Sequence, residues 1–181
     1  IKRRIEKLYK YDIILWQRFQ TLNKKYDIAK SPNPVKRKIV SKLPDFIIVG
    51  AMKAGTTALN RFCNLHPEID TKNELHFFSP RYDRYKKGIE WYKNHFVDGK
   101  CSGEKTPCYM NDPRAMHRIA TTCPQTKIII ILRDPVMRFI SHRCHYNRAG
   151  LSHLQLPEFY EHPHFGVEAR WRGCYAPQLF Y

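Results

Sequence analysis

No apolar run in this 181-residue chain approaches the ~20 residues of a membrane-spanning helix; the longest, Ile128 to Leu132, has the length of a strand. No secretory leader opens it, because Ile1-Lys2-Arg3-Arg4 does not run into an apolar stretch. The first residue is not Met, so the sequence reads as a piece of a longer protein and excludes no targeting signal outside it. No Asn stands in an N-x-Ser/Thr context, so glycosylation gives no clue to compartment. The six cysteines (Cys63, Cys101, Cys108, Cys123, Cys144, Cys174) contain no C-x-x-C pair and are read as scattered reduced thiols, since a chain of this size needs no staples. His142, Cys144 and His145 crowd one expected helix without a second ligand pair, so no metal is expected. Acidic residues are scarce. There are 16 Asp and Glu against 32 Lys and Arg, a formal charge of +16 that points to a polyanionic partner: nucleic acid, acidic lipid, nucleotide, or sulfated or carboxylated glycan.

The chain is not short of material for a core. With 43% hydrophobic and 13% aromatic residues it is expected to fold, as one domain plus a short appendage. The appendage is a basic helical leader and linker over residues 1–43. Ile5, Leu8, Tyr9, Ile13, Trp16 and Phe19 recur at helical spacing before Ser31-Pro32-Asn33-Pro34 breaks the pattern. From Pro44 the character changes. Phe46-Ile47-Ile48-Val49 ends in Gly50 and reads as a buried parallel strand, followed by a turn and a helix over Ala58 to Leu65. A second buried strand, Lys127 to Leu132, runs into a polar turn and a helix from Pro135. Between them lie an aromatic stretch, Phe77 to Trp91, and a polar segment from Gly103 to Pro107. Strands alternating with helices predict an α/β fold, a three-layer sandwich around a central parallel sheet. Ligands of such sheets gather at the carboxyl ends of the strands, where both polar turns fall.

The first turn reads Gly50-Ala51-Met52-Lys53-Ala54-Gly55-Thr56-Thr57. Glycine there lets backbone approach a ligand, and a helix N-terminus offers amides to an anion. It is similar to the G-x-x-x-x-G-K-[ST] phosphate loop, except that Thr56 stands where that loop has its lysine, and Lys53 comes three residues earlier. The second turn reads Leu132-Arg133-Asp134-Pro135 and continues to Ser141. Arg133 leaves a strand end with a fork suited to phosphate, and Ser141 lies two helical turns on. Asp134 is as apt to cap the helix as to orient Arg133. Taken singly, an ordinary strand–helix turn or a salt-bridged arginine explains each.

Together, and in this order, the motifs resemble the sulfotransferases that use 3′-phosphoadenosine 5′-phosphosulfate (PAPS). Lys53-Ala54-Gly55-Thr56-Thr57 is similar to their 5′-phosphosulfate loop, and Arg133 with Ser141 to their 3′-phosphate site. Lys72-Asn73-Glu74-Leu75-His76-Phe77-Phe78, Gly88 to Tyr92, and Glu104-Lys105-Thr106-Pro107-Cys108-Tyr109 narrow the resemblance to the glycosaminoglycan branch, the heparan sulfate N- and 3-O-sulfotransferases. The resemblance spans about residues 44–181 and implies a P-loop-like sulfotransferase domain, incomplete at its C-terminus because Gly173 to Leu179 looks like a helix the family continues. It implies in-line transfer of a sulfuryl group to a carbohydrate hydroxyl or amine, leaving 3′-phosphoadenosine 5′-phosphate (PAP), with no metal. Glu74 matches the general base; Lys53, His76 and Lys105 match catalytic positions near the moving group. Lys53, Ala54, Gly55, Thr56, Thr57, Arg133 and Ser141 match the cofactor-binding positions. A free Glu has a pKa near 4.3, so a partly buried site is expected to raise the basicity of Glu74. Glu104 is expected to be structural, and the aromatic run to build core and cleft wall. Thr57 departs from the arginine common in 3-O-sulfotransferases, so that acceptor position does not carry over.

The resemblance also implies an anionic polysaccharide partner and no nucleic acid. It implies a Golgi lumen reached through an upstream anchor if the source is eukaryotic, and the cytoplasm if bacterial. Two rivals stand beside it: a P-loop nucleotide kinase or triphosphatase, and a non-catalytic polyanion-binding domain. The displaced lysine argues against the first. The spacing of Lys53, Glu74, Lys105 and Arg133 argues against the second.

Overall fold

A computed structural model describes residues 42–146 and 155–179. The basic helix expected over residues 1–30 lies outside them. Phe46-Ile47-Ile48-Val49-Gly50 has the β-branched, wholly apolar character of a central strand, and β1 (Phe46–Gly50) is buried along its whole length. It leads through a turn into α1 (Thr56–Cys63), then β2 (Ile69–Asn73), α2 (Ile89–Lys93), β3 (Cys101–Lys105), α3 (Pro113–Thr122), β4 (Lys127–Ile130) and α4 (Pro135–Tyr146). Three short helices close the described chain: α5 (Leu156–Glu161), α6 (Phe165–Trp171) and α7 (Tyr175–Leu179). Among the described residues the strands form one parallel sheet in the order β2-β3-β1-β4, so the predicted α/β architecture holds.

Three strands differ from the sequence reading. β2 and β3 carry few apolar residues and were not expected as strands, yet they pair residue for residue from Ile69 opposite Cys101 to Asn73 opposite Lys105. Their polar side chains are accommodated individually: the Ser102 hydroxyl donates to the Val97 carbonyl at 3.0 Å, for example. The apolar run of β4 predicts a buried strand, and β4 is not buried. Ile128 is 40% and Ile130 36% exposed; among the described residues β4 lies at one of the two edges of the sheet, with β1 as its neighbour. Apolar character alone did not reveal which side of the sheet was covered.

The core packs Ile47 and Val49 against Phe77, Phe78, Tyr92, Phe96, Tyr109, Met110 and Ile119. Phe77 stacks on Tyr92 at 4.5 Å between centroids, and Phe78 meets Tyr92 edge-on at 5.0 Å. Part of the aromatic run is therefore core. Tyr82 and Tyr85 are instead exposed, 44% and 36% respectively. No described helix is long and apolar enough to cross a membrane. None of the six cysteines is in a disulfide.

Candidate active site

The candidate residues cluster by topology. Lys53 follows the end of β1 by three residues, Glu74 directly follows β2, Lys105 ends β3, and Arg133 follows the end of β4 by three. One edge of one parallel sheet therefore presents all four, at the end where ligands of such sheets bind.

At β1 the turn rises through Lys53, with φ +69°, to Gly55, with φ +103°, which caps α1. An added Cβ on Gly55 would meet nothing within 4 Å, so the constraint there is the left-handed backbone and the space above it is open. The first-turn N–H groups of α1 have no intrahelical partner, and no acidic side chain occupies that turn. An anion fits there. Ala54 is half-buried, Thr56 buried and Thr57 exposed. After β4, Arg133 donates from Nη1 to the Lys53 carbonyl at 3.4 Å, so the two turns touch. Asp134 caps α4, accepting from the Met137 amide at 2.8 Å, and Ser141 lies half-buried in that helix.

The second group is tighter. Lys105, whose side chain is 1% exposed, places Nζ 2.7 Å from Glu74 Oε1, and His76 Nε2 lies 3.5 Å from Glu74 Oε2. The Glu74 amide donates to the Lys105 carbonyl at 2.8 Å, fixing the end of β2 on β3. Glu74 and His76 both hold φ +52°, a conformation that side chains other than glycine rarely adopt, and with Lys53 they make three such residues in the cleft. The hydrogen bond from His76 and the ion pair with Lys105 outweigh burial and hold the Glu74 carboxyl down at about 2. That reverses the expectation that burial raises its basicity: the cations beside it win. His76 is pushed up to about 9, by its contact with Cys108 and then by Glu74.

Several residues here escaped the sequence reading. Arg84 donates from Nη1 to the Leu75 carbonyl at 2.6 Å, tethering the Glu74–His76 segment. The Tyr82 ring packs on His76 at 4.2 Å, and Cys108 Sγ sits 3.5 Å from His76 Nδ1. Tyr175 accepts from the Arg133 amide at 3.4 Å and donates to its carbonyl at 2.8 Å. Tyr82 belongs to the aromatic run and Cys108 to the Glu104–Tyr109 motif, but no local pattern gives either its contact with His76 or marks Arg84 and Tyr175, since each acts across a turn or between elements. Glu104, read as structural, is fully buried and accepts from Tyr92 at 2.7 Å, Thr106 at 2.9 Å and Tyr109 at 3.2 Å. Thr106 in turn accepts from the His76 amide at 3.4 Å. His142 is buried against Arg138, 3.3 Å from Nη1 to Nδ1, and burial holds it neutral, with a pKa of about 3. Among the described residues no group of three or more His, Cys, Asp or Glu is placed to hold a metal ion.

Comparison with known proteins gives consistent matches. A family model described as "Sulfotransferase domain" matches residues 43–178. The chain is 41% identical over 150 residues to mouse heparan sulfate glucosamine 3-O-sulfotransferase 6, covering 76% of this chain and 42% of that protein. It is 41% identical over 116 residues to the membrane-associated sulfotransferase kil1 of Dictyostelium discoideum, covering 60% of this chain and 24% of that protein. A solved sulfotransferase from Alicyclobacillus acidocaldarius superposes with a TM-score of 0.65 at 28% identity, covering 76% of this chain and 67% of that one. The chain thus spans less than half the length of these curated relatives.

Proposed function

We propose, from the premise that this chain belongs to the sulfotransferase domain family, that it transfers a sulfuryl group from PAPS to a hydroxyl or amine of a glycosaminoglycan-like carbohydrate. The observation that carries the reading is the meeting of Lys53, Glu74, Lys105 and Arg133 at one edge of one sheet. PAPS supplies an activated sulfuryl group and a phosphate leaving group. Its phosphates at two ends suit two anion-binding turns in contact through Arg133 and Lys53. On this reading Lys53, Ala54, Gly55, Thr56 and Thr57 hold the 5′ side, and Arg133 and Ser141 grip the 3′-phosphate. Lys53 and Lys105 neutralise charge that spreads in the transition state.

Glu74 takes the acceptor proton. At rest its carboxylate is engaged by Lys105 and His76 and is a weak base. A negative charge arriving beside Lys105 draws that ammonium from Glu74, which restores the carboxylate's basicity where the acceptor attacks. The base is thereby armed by the donor. His76 stays as the second hydrogen-bond donor that orients Glu74. The family match does not favour a kinase, a triphosphatase or a passive polyanion binder. The heparan sulfate relatives support a polysaccharide acceptor; a Golgi-type lumen is the setting proposed with it.

Calorimetric titration of PAP, with AMP and ATP–Mg²⁺ as controls, tests the donor. Selective PAP binding lost in Lys53→Ala and Arg133→Ala supports the reading, and no PAP binding by folded protein sinks it. Glu74→Gln is expected to keep PAP binding while losing at least about a hundredfold in sulfate transfer to heparosan.

A further inference from the structure

Cys108, His76 and Glu74 stand in a row: the Cys108 sulfur lies 3.5 Å from His76 Nδ1, and His76 Nε2 lies 3.5 Å from Glu74 Oε2. The sulfuryl-transfer reading uses Glu74 and His76 and leaves the thiol without a task. From this juxtaposition of a half-buried thiol, an imidazole and a carboxylate, we propose that Cys108 is a modification site that reacts with hydroperoxides and other small soft electrophiles. The inference goes beyond the sulfuryl-transfer reading and does not rest on it.

The chemistry follows from the row. The thiolate is the nucleophile, and an adjacent cation favours it. Glu74 on the far nitrogen stabilises the charged imidazole, whose Nδ1–H then faces the sulfur. Tyr82, packed on the ring at 4.2 Å, helps fix its orientation. With a hydroperoxide, the sulfur attacks one peroxide oxygen and a new S–O bond forms as the O–O bond breaks. The sulfur gives up two electrons. The departing hydroxide, or alkoxide, takes the proton from His76 Nδ1 and leaves as water or alcohol, with Cys108 as the sulfenic acid and His76 neutral. Three other cysteines lack this setting: Cys63 and Cys123 have their thiol pKa raised by burial, and the exposed Cys174 donates to the Arg170 carbonyl.

Exposure and activation therefore predict opposite orders of reactivity, which makes the test sharp. The full-length chain is treated with substoichiometric iodoacetamide, and separately with hydrogen peroxide plus dimedone, and the modified peptides are quantified by mass spectrometry. Cys108 is expected to react about tenfold or more faster than the exposed Cys101 and Cys174. His76→Gln is expected to slow Cys108 by about tenfold while Cys101 keeps its rate. If Cys108 reacts no faster than Cys101 and Cys174 in the wild-type protein, the proposal fails. It fails equally if a folded His76→Gln protein labels Cys108 at the wild-type rate.

Discussion

At the scale of single residues, the charge on Glu74 and His76 sets a pH signature. The Glu74 carboxyl falls from 4.5 to about 2 on folding, so its stabilisation is complete above about 4.5 and is lost as pH falls toward 2. His76 rises from 6.5 to about 9, so its stabilisation is complete below 6.5 and is lost as pH climbs through 9. The cluster therefore stabilises most between about pH 4.5 and 6.5. Thermal melts should show the gap between wild type and His76→Gln widest near pH 6 and nearly closed by about pH 10. An equal gap at both would mean that His76 is not held charged. Glu104 gives a second residue-scale prediction. Glu104→Ala leaves three buried hydroxyls without their acceptor and should cost about 3 kcal/mol or more in urea unfolding, whereas a surface carboxylate loses little.

At the scale of elements, α7 reaches back to the turn that follows β4. Tyr175 brackets the Arg133 backbone, while Gln178 anchors the same helix through Asn111 at 2.6 Å and the Trp171 carbonyl at 2.7 Å. Tyr175→Phe removes the bracket but keeps the anchor, so PAP affinity should fall roughly threefold to tenfold with little change in melting temperature. An unchanged affinity would leave Tyr175 a packing residue only. The elements also show what the sequence discloses. β1, the helices after the two polar turns and the parallel α/β plan were legible, because an apolar run ending in glycine before a helix has few other foldings. β2 and β3 were not. Ile-Asp-Thr-Lys-Asn and Cys-Ser-Gly-Glu-Lys are strands because of their neighbours, and Gly103 is needed where a Cβ would fall 2.5 Å from the Phe46 ring. Lys53, Glu74, Lys105 and Arg133 were singled out through the family resemblance, which spacing alone does not supply for Glu74, and Tyr82 only as part of an aromatic run; Arg84 and Tyr175 were invisible, since their partners are set by tertiary structure.

At the scale of the whole molecule, +16 of net charge sets how an anionic chain is met. Binding of a heparosan oligosaccharide should weaken at least tenfold between about 0.05 and 0.5 M NaCl, measured by fluorescence anisotropy. Salt-insensitive binding would assign recognition to hydrogen bonds and apolar contact instead. The left-handed backbone at Lys53, Glu74 and His76 has a consequence for the molecule's history. Each such residue costs about 1 kcal/mol that glycine would not. Lys53→Gly is thus expected to raise the melting temperature by a few degrees while PAP binding is lost. Laboratory evolution under heat alone would drift toward glycine at Lys53, and the cleft would go silent before the fold weakened, whereas Glu74 and His76 offset their backbone cost through their ion pair with each other and that of Glu74 with Lys105. Keeping Lys53 takes selection by a substrate.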